Sequence, residues 1–308
     1  MAVRPKHSVV DSATNDAFIA DLLGRCTFPA EGTPVSCAVS GGPDSVALLV
    51  LARVAGCVPT AVHVDHGLRP ESAAEALTVG SIAESLQVAF EGHTVDVDTG
   101  PNLEARARQA RYSVLPADAL LGHTADDQAE TMLLNLLRGA GPSGMAAMAH
   151  DARRPILSLR RHETHEVCRR LEIEVVTDPS NTDPAFRRNR VRNELLPLLE
   201  QIGERDVAGL LASQAPVFGE QAAFLTDLAS QLDPTDCRAL REAPRVLARI
   251  SVRDWLRSET GSAHPVDNAS VQRVLDVIDG SIKGTEVVGG WKVDRSSSRL
   301  RLSPPLAD

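Results

Sequence analysis

The chain has 308 residues, of which 43% are hydrophobic and 24% are charged, as in ordinary globular proteins long enough for two domains. Its net charge of −9 argues against a general nucleic-acid coat, because binding many phosphates requires a basic surface. The five cysteines are scattered without a C-x-x-C pair, which argues against a disulfide framework or a cysteine zinc site and favours a cytoplasmic location. No apolar run approaches the roughly 20 residues that span a bilayer, so we expect no membrane segment.

Short apolar runs alternate with helical patterns in the first part of the chain. Three apolar runs predict buried strands, at Val35–Val39, Pro59–Val64 and Val88–Val95. The helical patterns between and after them cover Val46–Val54, residues 71–86, Glu104–Leu115 and Thr124–Leu137. This order predicts an α/β fold with a parallel sheet wrapped by helices, in which ligands bind at the carboxyl ends of the strands.

The character of the sequence changes after Pro197, and this change predicts a domain boundary. We expect a catalytic domain over residues 1–204 and a smaller, mainly helical domain over residues 205–308. In the second domain the pattern predicts helices over 206–232, 242–258 and 266–279. A hairpin is predicted over 285–302, with its turn at Asp294–Ser296.

The segment Ser40-Gly41-Gly42-Pro43-Asp44-Ser45, the phosphate loop, follows the first predicted strand and opens the first predicted helix. Backbone N–H groups at a helix start form an anion site, and the glycines let the backbone approach a phosphate closely. Ser40 and Ser45 add hydroxyl donors, and Pro43 sits where its missing N–H costs nothing. Asp44 carries a negative charge beside a negatively charged phosphate, and a Mg²⁺ ion bound between the two would explain this arrangement. A plain capped turn is the alternative, but all six positions after a buried strand favour phosphate binding.

The loop lacks the G-K-[ST] ending of a Walker A motif and resembles that of the N-type ATP pyrophosphatases, or PP-loop proteins. Members of this family cleave ATP to AMP and pyrophosphate and activate a carbonyl oxygen by adenylation. The resemblance implies a Rossmann-like fold, ATP and Mg²⁺ as cofactors, and Asp44 as the Mg²⁺ ligand.

Further segments extend the resemblance over about residues 35–200. They are His63–Arg69, Glu104–Tyr112, Gly122–Thr131, Leu136–Gly141, Asp178–Asn181 and Arg187–Leu199. In this order they resemble the tRNA(Ile)-lysidine synthetase family, which joins L-lysine to C2 of the wobble cytosine of a CAU-anticodon tRNA(Ile). The resemblance implies a short-form enzyme of the cytoplasm that recognises mainly the anticodon stem-loop, and it leaves a homodimer open.

Three acidic residues lie at the start of the helix predicted over Thr124–Leu137. Asp126, Asp127 and Glu130 are spaced so that each aspartate shares a helix face with the glutamate. Capping by Thr124 or Asp126 explains the segment as well as a function does. The functional alternatives are binding the ammonium groups of lysine, holding Mg²⁺, or taking the proton of the attacking ε-amine. The phosphate loop upstream favours a function.

The resemblance assigns roles to further residues. Arg111, beside Tyr112, would neutralise charge on the α-phosphate or on the leaving pyrophosphate. From its position just ahead of the acidic residues, His123 could contact the adenylate or the incoming base. The His63–His66 pair could suggest a metal site, but we expect the strand end to lie over the adenine, with the backbone of residues 62–64, which include His63 and Val64, recognising the base. The catalytic residues expected on this basis are Asp44, Arg111, His123, Asp127 and Glu130.

The segment from Arg153 to Arg192 is basic, with ten arginines against six acidic residues and a local net charge of +4. A charge run is usually a solvated face. The resemblance implies instead a loop that packs over the active site and meets tRNA phosphates. The residues assigned to lysine or tRNA are Asp126, Arg138, Arg187, Arg188, Arg190 and Arg192.

Two kinds of alternative function remain open. Another PP-loop amidating or thiolating enzyme would share the loop, but thiolases need reactive cysteines, commonly as the C-x-x-C pair that this sequence lacks. GMP and NAD synthetases do not explain segments 122–141 and 178–198. A non-catalytic nucleotide sensor on the same fold would bind ATP without turning it over.

Replacement of the loop carboxylate tests the phosphate-loop interpretation. Asp44→Ala is expected to abolish AMP formation, because it removes the group assigned to Mg²⁺ at the phosphates. The measurement is release of radiolabelled AMP from ATP in the presence of lysine and tRNA, and AMP formation at the wild-type rate would contradict the assignment.

Overall fold

The computed structural model describes residues 8–65, 67, 72–95, 103–176, 183–261 and 266–305. The chain divides into two compact units, Met1–Pro216 and Val217–Asp308, and the division falls inside a long helix. The domain boundary at residue 204 stays a prediction. Two predicted motifs fall wholly or partly outside the described residues. These are Asp178–Asn181, and His66 and Leu68–Arg69 of the motif His63–Arg69.

The first unit alternates strands and helices as the sequence predicts. Its first elements are α1 (Val9–Thr14), α2 (Ala17–Leu23), β1 (Pro34–Ala38), α3 (Pro43–Val54), β2 (Val58–Asp65), α4 (Ser72–Ser85), β3 (Ala89–Thr94) and α5 (Leu103–Val114). They are followed by α6 (Ala125–Leu137), α7 (Pro142–Met145), α8 (Arg161–Arg170), α9 (Arg187–Arg190), a π-helical turn (Val191–Leu195), α10 (Leu196–Gly203) and the first part of α11 (Val207–Ser230). The ends of the elements predicted up to α6 differ from the observed ends by no more than three residues.

The three strands form a parallel sheet in the order β1-β2-β3. The apolar stretch before α6 extends this sheet by a single bridge between Leu120 and Cys37. Leu120 N–H donates to the Ser36 carbonyl at 2.7 Å, and Ala38 N–H donates to the Leu120 carbonyl at 2.9 Å. The chain between α5 and α6 therefore contributes a single bridge to the sheet rather than a full strand.

Helix α3 is buried along most of its length, from Ser45 to Ala52. A helix that is apolar on all sides needs cover on all sides, and α3 packs against the sheet and against α8. Val167 and Cys168 of α8 are buried in the same apolar core. Because the Cys168 thiol also donates to the Pro43 carbonyl at 3.6 Å, α8 helps to fix the start of α3.

The second unit combines helices with a small antiparallel sheet. After the end of α11 it contains α12 (Cys237–Glu242), α13 (Arg245–Thr260), α14 (Asn268–Asp279), β4 (Gly284–Glu286), β5 (Lys292–Ser296) and β6 (Arg299–Ser303). Its core is formed by buried apolar residues of the helices and strands, among them Val252, Leu256, Val274, Leu275 and Val293.

The predicted hairpin of the second unit is present, but the predicted position of its turn is wrong. Residues Asp294–Ser296 belong to β5, and the turn lies at Ser297 and Ser298. These serines have φ values of 50° and 62°, the left-handed backbone that a two-residue hairpin turn requires. No helix in the described part of the chain is long and apolar enough to cross a bilayer.

Candidate active site

The phosphate loop turns sharply between β1 and α3. Gly41 has a φ of +88°, and a Cβ atom there would lie 2.6 Å from Val176 Cγ2, so that only glycine fits. The Ser45 hydroxyl accepts a hydrogen bond from Ser40 N–H at 3.1 Å and donates one to the Gly42 carbonyl at 2.8 Å. Val176 N–H donates to the Gly41 carbonyl at 2.9 Å. The loop is thus fixed both by its own serine and by the segment that follows α8.

The loop leads into a helix start that suits an anion. Gly42 is the N-cap residue of α3, and Pro43 occupies the first turn. Gly42 has no side chain to accept hydrogen bonds from the first N–H groups of the helix. N–H groups in this position bind anions such as phosphate.

Asp44 lies in the first turn of α3. Its carboxylate accepts a hydrogen bond from the Thr164 hydroxyl and lies 3.6 Å from Arg161 Nε. Burial raises the pKa of Asp44 above its ordinary value, although the hydrogen bond from Thr164 opposes the rise, and the charge of Asp127 adds to it. A cation that binds this carboxylate would therefore stabilise its ionised form.

Asp127 uses its two carboxylate oxygens for different purposes. Thr124 is the N-cap residue of α6, and its N–H and hydroxyl donate to Asp127 Oδ2 at 2.8 and 3.0 Å. Oδ1 accepts hydrogen bonds from Arg161 Nη2 at 3.1 Å and Arg188 Nη2 at 2.9 Å. Helix capping, the alternative explanation of this segment, accounts for one oxygen, and the other oxygen belongs to an ionic cluster.

Glu130 lies at the centre of that cluster. It has 0% exposure, and it accepts hydrogen bonds from three arginines, Arg161 Nη1 at 2.9 Å, Arg188 Nε at 2.7 Å and Arg192 Nε at 2.7 Å. Burial of a carboxylate is costly unless it is paired and hydrogen-bonded. We call these groups the carboxylate–arginine centre, which consists of Asp44, Asp127, Glu130, Arg161, Arg188 and Arg192.

The centre contains three carboxylates and three arginines, and the groups nearest to Asp127 determine the direction of its pKa shift. Burial by itself would raise the pKa of Asp127, but the charges of Arg161 and Arg188 and the hydrogen bond from Thr124 lower it below the ordinary value. The charge of His123, when protonated, lowers it further. Asp127 is therefore held as an anion and is a weak base.

Asp126, also on α6, does not belong to the centre, and its partners lie at the start of α8. It accepts hydrogen bonds from Arg160 Nε and Nη2, each at 3.1 Å, and from Arg161 N–H at 2.7 Å. Arg160 also pairs with Asp206, just before α11. Burial would raise the pKa of Asp126, but its hydrogen bonds with Arg160 and Arg161 lower it.

The four arginines predicted between residues 187 and 192 divide into two pairs. Arg188 and Arg192 are four residues apart on one helical face and bind the α6 carboxylates. Arg187 and Arg190 are exposed, and Arg190 pairs with Glu194 at 2.9 Å.

The other predicted residues lie around this centre at different depths. The buried His63 ring has Nδ1 2.8 Å from the Val39 carbonyl oxygen, to which Nδ1–H donates, so it ties β2 to the end of β1. His63 and Val64 extend β2 past the last residue of β1 that pairs with it. Arg111 on α5 is half-buried, and Arg138 is the exposed C-cap residue of α6.

The sequence interpretation missed Arg160, Arg161 and Thr164. The sequence did contain an indication of them, because two arginines and a threonine lie at the start of a helix inside the basic segment. Buried carboxylates on α6 also require cations. The sequence alone did not indicate which of the ten arginines would supply them.

The comparison with family models assigns the class of protein. Residues 16–199 match the model described as the PP-loop domain. The solved structure of the U34-tRNA thiolase NcsA from Methanococcus maripaludis has a TM-score of 0.51 with this chain at 14% sequence identity, covering 70% of this chain and 80% of that one. At this identity the likeness extends to the fold alone.

Relatives at higher identity narrow the family. The chain is 38% identical over 291 residues to the tRNA(Ile)-lysidine synthase of Nocardia farcinica, covering 89% of this chain and 90% of the relative. It is 43% identical over 235 residues to the tRNA(Ile)-lysidine synthase of Mycolicibacterium paratuberculosis, covering 71% and 73%. The chain belongs to the tRNA(Ile)-lysidine synthase family of PP-loop proteins, and the resemblance predicted from its motifs is confirmed.

Removal of the central negative charge tests the role of Glu130 in stability. Glu130→Gln is expected to lower the free energy of unfolding by about 3–5 kcal/mol, because it removes the buried carboxylate that pairs with three partly buried arginines and leaves their charge undercompensated. The matched control is Glu194→Gln, which removes an exposed partner of Arg190 and should leave the unfolding midpoint unchanged. Equal urea midpoints for the two variants would contradict a buried ionic centre.

Proposed function

We propose that this protein ligates L-lysine to C2 of the wobble cytidine in tRNA(Ile) with a CAU anticodon, with cleavage of ATP to AMP and pyrophosphate. The product, lysidine, changes codon recognition from AUG to AUA. The names of the relatives support this function and favour none of the alternatives. The observation that carries the proposal is the contact between the phosphate loop and the carboxylate–arginine centre, through Asp44 and Arg161.

In the first step, the C2 carbonyl oxygen of the cytosine attacks the α-phosphorus of ATP, and pyrophosphate leaves. The N–H groups at the start of α3 bind the phosphates. Asp44 fits a Mg²⁺ ligand, because this ion is commonly bound by one or two carboxylates together with substrate phosphates. When bound, the ion would neutralise charge that develops on the pyrophosphate. Arg111 would add a further positive charge.

In the second step, the ε-ammonium of lysine first loses a proton to water, the resulting amine attacks C2, AMP leaves with the former carbonyl oxygen, and the nitrogen releases a second proton to water. Lysine carries ammonium groups, so its binding site near the adenylate needs a negatively charged side chain. Asp127 suits this role, because its lowered pKa keeps it ionised and makes it a poor proton acceptor. Glu130 lies beside it, and His123 stands immediately before the helix as a candidate contact to the adenylate.

Exposed arginines supply the contacts proposed for tRNA. Arg138, Arg187 and Arg190 are exposed, the last in a surface ion pair with Glu194, and phosphates can reach all three. Residues 205–308 would form the second, tRNA-binding domain. A cytoplasmic location fits a tRNA substrate and free cysteines, and a homodimer stays a prediction.

The test of the function supplies ATP, Mg²⁺, radiolabelled lysine and a CAU-anticodon tRNA(Ile) transcript. The expected result is label in the RNA together with one AMP per lysine incorporated. Absence of lysine from the RNA would overturn the function. Equal incorporation into the methionine tRNA with the same anticodon would overturn only the tRNA specificity.

The exposed half of the arginine segment gives a separate prediction. Arg190→Ala is expected to raise KM for tRNA several-fold and to leave KM for ATP unchanged, because a solvent-facing arginine contacts phosphate without reaching the nucleotide. The slope of log Kd for tRNA against log salt should fall by about one. Arg169→Ala, an exposed arginine on α8, is the control. Equal losses toward tRNA and ATP would contradict this role for Arg190.

A further inference from the structure

Arg161 lies where the phosphate loop meets the carboxylates of α6. Its Nε is 3.6 Å from Asp44, its Nη2 is 3.1 Å from Asp127, and its Nη1 is 2.9 Å from Glu130. The ion pairs of Arg188 and Arg192 in the described part of the chain go to Asp127 and Glu130. Arg161 is therefore the arginine of the centre that bridges the nucleotide side and the α6 side.

The backbone of Arg161 is fixed, whereas its guanidinium has several partners. Arg161 N–H donates to Asp126 at 2.7 Å, and the Arg161 carbonyl oxygen lies 2.7 Å from the Thr164 hydroxyl oxygen, whose single proton is directed at Asp44. Thr164 has 0% exposure and also contacts Asp44. A guanidinium carries five N–H donors, so its interactions can be redistributed among nearby anions without movement of the helix.

Nucleotide binding would change the charge balance around this guanidinium. In the described structure, three carboxylates face three arginines in the centre. The phosphates of ATP, even with one Mg²⁺, add net negative charge on the Asp44 side. Guanidinium groups bind phosphate oxygens strongly, so ATP draws Arg161 toward the loop. Asp127 and Glu130 then carry less compensating charge and attract an ammonium group more strongly.

We infer that Arg161 is a positioning residue that couples the two substrate sites of the centre. ATP at the phosphate loop strengthens the binding of lysine at Asp127 and Glu130, and lysine strengthens the binding of ATP by the same factor. This inference rests on the proposed function, because it takes ATP and lysine as the two ligands.

The test is calorimetric titration of the full chain with L-lysine, with and without α,β-methylene-ATP and Mg²⁺. In the wild type, the analogue is expected to lower the lysine Kd by about 5-fold or more, the usual size of coupling between sites. In Arg161→Gln the change is expected to be below about 2-fold, because the bridging charge is absent. A variant that keeps the full wild-type coupling would overturn the inference.

Two further variants separate coupling from folding. Arg169→Gln, on the same helix, removes an arginine that is 71% exposed and pairs with Glu166, and it should keep the full coupling. Arg161→Lys retains the positive charge, but one ammonium group cannot contact three carboxylates as the guanidinium does. The coupling factor in this variant should therefore fall below half of the wild-type factor. If Arg161→Gln does not fold, the titration of Arg161→Lys takes its place as the test. Full wild-type coupling in Arg161→Lys would then overturn the inference.

The wild-type titration also distinguishes this inference from the proposed function. A folded wild-type protein that binds neither lysine nor the analogue contradicts the function itself. A wild-type protein that binds both ligands without any coupling overturns the role of Arg161 and leaves the function standing.

Discussion

Two buried carboxylates on α6 impose the constraint on which the rest of the site depends. Glu130 has 0% exposure and Asp127 has 7%, and burial of a carboxylate is costly unless it is paired with positive charge and hydrogen-bonded. The partners come from two separate segments, Arg161 at the start of α8 and the pair Arg188 and Arg192 in the later helical turn. Charge pairing thus ties both segments to α6, and apolar contacts also pack the segment around Val191 and Leu196 against α6.

The same arrangement joins the α6 carboxylates to the phosphate loop. Helix α8 supplies Arg161 and Thr164 to Asp44, and the thiol of Cys168 to the carbonyl of Pro43. Val176, beyond α8, binds the carbonyl of Gly41 and leaves no room for a side chain at that glycine. Helix α8 and the segment after it therefore help to define the shape of the phosphate loop and the position of its carboxylate. Under the proposed function, adenylation at the phosphate loop and amine binding at Asp127 would take place next to each other.

The features predicted from sequence are local ones. Apolar runs, helical periodicity and the glycine pair indicated β1, the phosphate loop and α3, because neighbouring residues determine each of them. The contact of Arg161 with Asp127 joins residues 34 apart in sequence, and that of Thr164 with Asp44 joins residues 120 apart, so no local pattern indicates them. The split of Arg187 and Arg190 from Arg188 and Arg192 depends on the phase of a helix against α6. The hairpin turn was misplaced because Ser297 and Ser298 adopt left-handed backbone without glycine or asparagine to mark it.

A double-mutant cycle between Glu130→Gln and Arg192→Gln tests the central claim, that a buried ionic centre holds the arginine segment on α6. The quantity is the free energy of unfolding from urea titration of the wild type, both single variants and the double variant. Arg192 Nε lies 2.7 Å from Glu130 Oε1, so the account predicts that the double variant is less destabilised than the sum of the single variants. The expected interaction energy is about 1–3 kcal/mol. Additive effects within about 0.3 kcal/mol would show that the two residues do not interact and would contradict the account.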